Sequence, residues 1–150
     1  MPVAGTSRSA KKREQLLAAG YDEMVLDQDG HLQTDQHFDK ILELIGPKTV
    51  KDSFRFTRPG GIVCSTGELG DEWYLNKFDP IMDIAPDAYL TSFSSGNVDA
   101  ARFQQLLDYL GKYHVAVQPE KVFDLAHLAD AHRYLESKRS FGKVVVVGND

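Results

Sequence analysis

The hydrophobic pattern alternates short β-like runs with longer runs of helical period, as expected of a parallel α/β sheet with helices between its strands. Pro2 to Ala4 is too short to stand as a strand alone, and it stops at Gly5-Thr6-Ser7-Arg8. Ser7 or Ser9 can cap a helix to about Ala19, with Leu16 and Leu17 inward and Gly20 ending it. Glu23 to Leu26 predicts a second strand, and the polar stretch from Asp27 to His37 predicts a loop. Phe38 to Leu44 predicts a third strand, closed by Ile45-Gly46-Pro47 and followed by a helix from about Thr49 to Thr57. A turn at Arg58-Pro59-Gly60-Gly61 then feeds a strand from Ile62 to Thr66, which breaks at Gly67-Glu68-Leu69-Gly70.

Asp71 to Asp87 has no clean period and reads as a loop with one helical turn. Ala88 to Phe93 favours a strand. Asp99 to Tyr113 is the clearest amphipathic helix, with Phe103, Leu106, Leu107 and Leu110 on one stripe. Val122-Phe123 is a short strand, and a helix from Asp124 or Leu125 runs through Leu135. Lys143 to Val147 is continuous and β-branched, which predicts a strand buried on both faces. With no repeats, low-complexity stretches or linkers, the expectation is a single domain.

Composition narrows the function classes. The chain has 150 residues, 42% hydrophobic and 26% charged, ordinary for a globular protein, and a net charge of -5 that disfavours nucleic acid as a partner. No apolar run approaches the roughly 20 residues that cross a bilayer, and the start of the chain has no apolar signal region, so a cytoplasmic protein is expected. One cysteine, Cys64, and five scattered histidines predict no metal site. Asp27-Gln28-Asp29-Gly30 does not satisfy a calcium loop, having Val25 two residues before Asp27 and no glutamate six residues after Gly30.

The order of these pieces resembles a known family. Thr6-Ser7-Arg8-Ser9 ahead of a basic helix ending Ala18-Ala19-Gly20 is similar to the second βα unit of the medium-chain (zinc-type) alcohol dehydrogenases and quinone reductases. Phe38 to Gly46 resembles the fourth strand of their cofactor domain, and Arg58 to Gly67 its fifth. The tail, Leu128-Ala129-Asp130-Ala131-His132 and then Gly142 to Val146, is similar too. The resemblance implies a Rossmann-like, doubly wound, mostly parallel α/β fold over nearly the whole chain. It also implies that the first βα unit, with the G-x-G-x-x-G turn that seats a pyrophosphate, and an N-terminal catalytic domain are missing. A strand absent from the centre of the sheet leaves a slot. The expected occupant is a partner chain or the strand from Lys143 to Val147, with direct pairing of the strands flanking the slot as the alternative.

The resemblance implies NADP(H) as cofactor. In a doubly wound fold the end of the second strand lies beside the adenosine ribose. An acid there would take the ribose hydroxyl; Ser7 and Arg8 offer instead a hydroxyl and a planar guanidinium, matching a 2′-phosphate, and Lys12 adds charge one turn along. The alternative is a solvated basic helix start. Ile45 and Gly46, and Thr66, Gly67 and Glu68, stand at strand ends that face the nicotinamide and its ribose in the family, where ordinary turn chemistry is the other reading. Phe93 and Ser94 resemble the segment running along the nicotinamide, or are a core ring with a turn serine. No catalytic residue is assigned. The expected function is the cofactor-binding portion of an NADPH-dependent oxidoreductase, with hydride transfer to a carbonyl, quinone or enone in the intact enzyme. The alternative is a non-catalytic remnant or assembly module. A homo-oligomer is expected, because an absent domain leaves apolar surface uncovered.

Overall fold

A computed structural model describes residues 1–96, 98–137 and 139–148, in two compact units, residues 1–97 and 98–150. The fold is mixed α/β with mostly parallel strands and is Rossmann-like.

In the first unit, β1 (Ala4–Ser7) pairs in parallel with β2 (Glu23–Gln28), Ser7 lying opposite Leu26. A 3-10 turn at Ala10–Lys12 leads into α1 (Arg13–Ala18). This helix covers Gly5: a Cβ there would lie 3.0 Å from Leu16 and 2.9 Å from the Tyr21 ring. Only Leu16 is buried; Leu17 is 39% exposed, because adjacent residues of one short helix cannot both face one strand. Ser9 makes no side-chain cap; the Ser7 hydroxyl accepts a hydrogen bond from Ser9 N instead (3.1 Å).

The expected polar loop after β2 is a hairpin. β3 (His31–Gln33) runs antiparallel to β2 with Gln28 opposite His31, so Asp29-Gly30 is a two-residue turn. Both turn residues have positive φ (54° and 86°), and Asp27 Oδ1 accepts from Gly30 N (2.8 Å). Asp-Gly between two alternating runs is a strong hairpin signal, and it is the physical reason a strand appears here.

β4 (Phe38–Glu43), β5 (Thr57–Ser65) and β6 (Tyr89–Ser92) form a parallel sheet in that order. Arg58-Pro59-Gly60-Gly61 is not a turn ahead of β5 but a distortion inside it. The register shifts between Phe38 and Lys40, Gly60 has φ +77°, and its N–H reaches Asp87 O (3.1 Å). α2 (Val50–Arg55) buries Val50 and Phe54 on Val63, with Ile41, Leu75, Ile84, Ala85 and Ala88 around them. α3 (Pro80–Asp83) is the one helical turn expected in the irregular stretch. It is tied to α2 by Lys51, which bridges Asp83 (2.8 Å) and Lys77 O (2.6 Å). That hydrogen bond from Lys51, with the Asp79 backbone amide, holds the Asp83 carboxyl below its ordinary range.

In the second unit, α4 (Ala100–Lys112) is capped by Asp99, whose carboxylate accepts from Arg102 N (2.7 Å). Of its apolar stripe Phe103, Leu106 and Leu107 are exposed, Phe103 at 53%, and Leu110 is half-buried. β7 (Lys121–Asp124) pairs in parallel with β8 (Val144–Val147), and α5 (Leu128–Glu136) packs on both. Glu120 clamps the return from α5 to β8, accepting from Phe141 N (2.6 Å), Gly142 N (2.7 Å) and the Tyr134 hydroxyl (2.7 Å).

Two expectations about the sheet centre are corrected. The expected pairing of Lys143 to Val147 in a central slot is not among the strand pairs of the described residues: β8 pairs with β7, and it alternates between half-buried and exposed because one helix covers one face of a two-stranded sheet. Nor do β1 and β4 pair directly. Each is the edge of its own three-stranded sheet among the described residues. Among those residues no helix is long and apolar enough to cross a membrane.

Candidate functional site

The register of the second sheet sets three strand tips level. Glu43, Ser65 and Ser92, the last residues of β4, β5 and β6, lie opposite one another. Ligands of open α/β sheets lie beyond such carboxyl ends, so the residues just past each tip decide the chemistry.

After β4 the chain turns sharply at Gly46, whose φ of +90° suits glycine. After β5 the chain does not leave the sheet but continues along the β4 turn. Thr66 N and Gly67 N donate to Glu43 O (2.8 and 3.3 Å), Leu69 N to Leu44 O (3.2 Å) and Gly70 N to Ile45 O (2.9 Å). The contact is backbone on backbone. A Cβ on Gly46 would stand 2.8 Å from Gly67 O, and one on Gly67 only 2.5 Å from Leu44 O. No side chain fits between the two turns, so they form one fused ledge. β6 is joined to it by Phe93 N, which donates to Ser65 O (3.2 Å).

The ledge is held from below by Glu43, which is buried at 5% exposure. Its Oε1 accepts from Ile45 N (2.7 Å), Gly46 N (3.2 Å) and the Thr49 hydroxyl (3.0 Å), and its Oε2 from the Ser53 hydroxyl (2.7 Å). One side chain therefore fixes the β4 turn, while its backbone carbonyl fixes the β5 turn. Beside the tips lies an open cleft of about 440 Å³, lined by Pro47, Val50, Ser65, Leu75, Leu90, Thr91 and Ser92. Its lining is mixed, with hydroxyls from the β5 and β6 tips and aliphatic groups from α2 and residue 75.

Of the residues singled out from sequence, Ile45, Gly46, Thr66, Gly67 and Glu68 come together in the ledge. Phe93, 60% exposed, and Ser94 lie just past the β6 tip. Ser7, Arg8 and Lys12 belong to the other sheet of the unit. Ser7 ends β1, Arg8 comes next, exposed and without an ion pair among the described residues, and Lys12 is half-buried in the 3-10 turn. No strand pairing joins that tip to the ledge. Glu43 is the functional residue that sequence pattern alone does not mark. Its signal is an acid at the end of an apolar strand, with hydroxyls six and ten residues on at Thr49 and Ser53.

His31 pairs with Asp52 (3.1 Å), and Leu32 N donates to that same carboxylate (2.9 Å), tying β3 to α2. His127 Nδ1 lies 2.6 Å from Asp124. That contact raises the His127 pKa and lowers that of Asp124. Among the described residues no three His, Cys, Asp or Glu side chains come close enough to hold a metal ion.

A family model described as zinc-binding dehydrogenase matches residues 19–146. A search of curated proteins gives no match. Solved structures similar to the chain include that of AibC, at 21% identity and a TM-score of 0.78, covering 99% of this chain and 42% of that one. An NAD-dependent alcohol dehydrogenase is similar at 22% identity and a TM-score of 0.72, covering 98% and 44%. Escherichia coli K-12 YhdH, solved with bound NADPH, is similar at 16% identity and a TM-score of 0.70, covering 97% and 46%. At these identities the likeness shows the fold, and the chain spans less than half the length of each of these proteins.

Proposed function

The chain belongs to the zinc-binding dehydrogenase family, and from that premise we propose that it forms the NADP(H)-binding portion of an oxidoreductase, one dinucleotide-binding domain built from both units. The observation that carries this reading is the fused ledge, where the turns after β4 and β5 pack backbone on backbone at the carboxyl ends of three parallel strands in register, the end of an open α/β sheet at which ligands lie. Ile45, Gly46, Thr66, Gly67 and Glu68 would hold the nicotinamide riboside, and Phe93 and Ser94 would flank it. Ser7, Arg8 and Lys12 would hold the adenosine 2′-phosphate. The exposed, unpaired guanidinium of Arg8 supports this part, since no carboxylate competes for it among the described residues.

When bound, the nicotinamide supplies hydride transfer, here to a carbonyl, quinone or enone in the whole protein. This chain's contribution is orientation and electrostatics: it fixes one face of the ring and discriminates by phosphate. A structure solved with NADPH and one of an NAD-dependent enzyme are both similar to the chain, so the choice of cofactor rests on Arg8. A homo-oligomer and a further domain covering the exposed apolar surfaces complete the proposal.

The test is a titration of the chain with NADPH and NADH followed by fluorescence, repeated with Arg8→Gln. The reading expects NADPH to bind more tightly, and Arg8→Gln to lose about tenfold for NADPH alone. Absence of binding by either cofactor at millimolar concentration contradicts it.

A further inference from the structure

Glu43 is a buried carboxylate whose four hydrogen-bond donors are all neutral: two backbone amides and two hydroxyls. No cation pairs with it among the described residues. The other buried acid of the unit, Asp52, differs, having Arg55 and His31 beside it. The Glu43 charge also lies directly beneath the strand tips, its Oε1 2.7 Å from Ile45 N. Hydrogen bonds from neutral donors spread such a charge without cancelling it, and burial keeps solvent and salt from screening it. The same bonds turn the Ile45 and Gly46 N–H groups inward, so the β4 turn does not offer those two donors to an anion.

We infer that Glu43 biases this end of the sheet toward a cationic ring, so that it strengthens binding of the oxidised, pyridinium form of a nicotinamide dinucleotide over the reduced, neutral-ring form. The inference rests on the reading that the nicotinamide lies on the ledge. The two forms have nearly the same shape and differ at the ring by one positive charge, so a group that merely shapes the turn treats them alike. A charge beneath the turn does not. Glu43 is in this sense a positioning residue for the β4 turn and a source of field at the ring.

The experiment measures dissociation constants of NADP⁺ and NADPH for the chain and for Glu43→Gln, which keeps the side-chain size and the oxygen facing Ile45 and Gly46. The Ser53 hydroxyl can turn to accept from the new amide. NADP⁺ is expected to weaken about three- to tenfold in the variant, with NADPH little changed. Equal weakening of both forms, or no change in either, overturns the inference while leaving the cofactor reading in place. Failure of both forms to bind the unaltered chain overturns the cofactor reading and the inference with it. A second measurement needs no variant: the unaltered chain should bind NADP⁺ more tightly than an analogue with neutral benzamide in place of the pyridinium ring. Equal affinity for the two would again count against a role for the charge.

Discussion

Gly67 lies where a Cβ would be 2.5 Å from a backbone oxygen that cannot move without opening the β4 turn. Gly67→Ala should destabilise the chain by about 1–3 kcal/mol in urea unfolding, and a neutral result would mean the two turns are not locked. Glu43→Leu fills the same space but leaves two amides and two buried hydroxyls without their acceptor. A loss of about 3 kcal/mol or more is expected; a stability equal to the parent would show that water or rearrangement serves those donors equally well. Glu43 also shows why the site was only partly legible. Sequence reading marks turns and strand ends, so Gly46 and Gly67 stand out. A buried acid satisfied by residues two to ten positions later looks like any polar residue in a strand until the chain is folded.

At the scale of elements, period and punctuation located β4 and β6 well, and the carboxyl end of β5 where Gly67 follows it. The misses have a common cause, which is local turn chemistry outweighing composition. Asp29-Gly30 makes a hairpin out of a polar stretch, and Pro59-Gly60-Gly61 bends a strand without ending it. Gly30→Val should therefore cost about 1 kcal/mol or more through its φ of +86°, measured by thermal unfolding. At the start of α5, Asp124 and His127 supply a pH-dependent brace. The His127 pKa is raised, so its contribution is full below the ordinary histidine value of 6.5 and fades as pH rises through the folded value. The Asp124 pKa is lowered, so its contribution is present above the ordinary aspartate value of 3.8 and fades as pH falls through the folded value. Both side chains are well exposed, so the effect is small. The melting-temperature gap between the chain and His127→Gln should be wider near about pH 5.5 than near about pH 8.5, and a gap independent of pH would refute the brace.

At the scale of the whole molecule, the parallel α/β class was readable from alternating strand and helix periods, and the family from the order of four weak motifs. Which strands pair was not readable. The run from Lys143 to Val147 looks the same in sequence whether it sits in a sheet centre or beside one partner, and only α5 and β7 decide the matter. The same holds for the apolar stripe of α4, which periodicity assigns to a core and the structure leaves exposed at Phe103, Leu106 and Leu107. The central claim is that one dinucleotide is held at two strand-tip regions, the fused ledge and the end of β1. The most direct test is a two-dimensional amide NMR titration of the chain with NADPH. Concurrent shifts are predicted at Ser7 and Arg8 and at Gly46, Thr66 and Gly67, with one binding constant. Shifts scattered over other surfaces, or confined to one of the two tips, would contradict it.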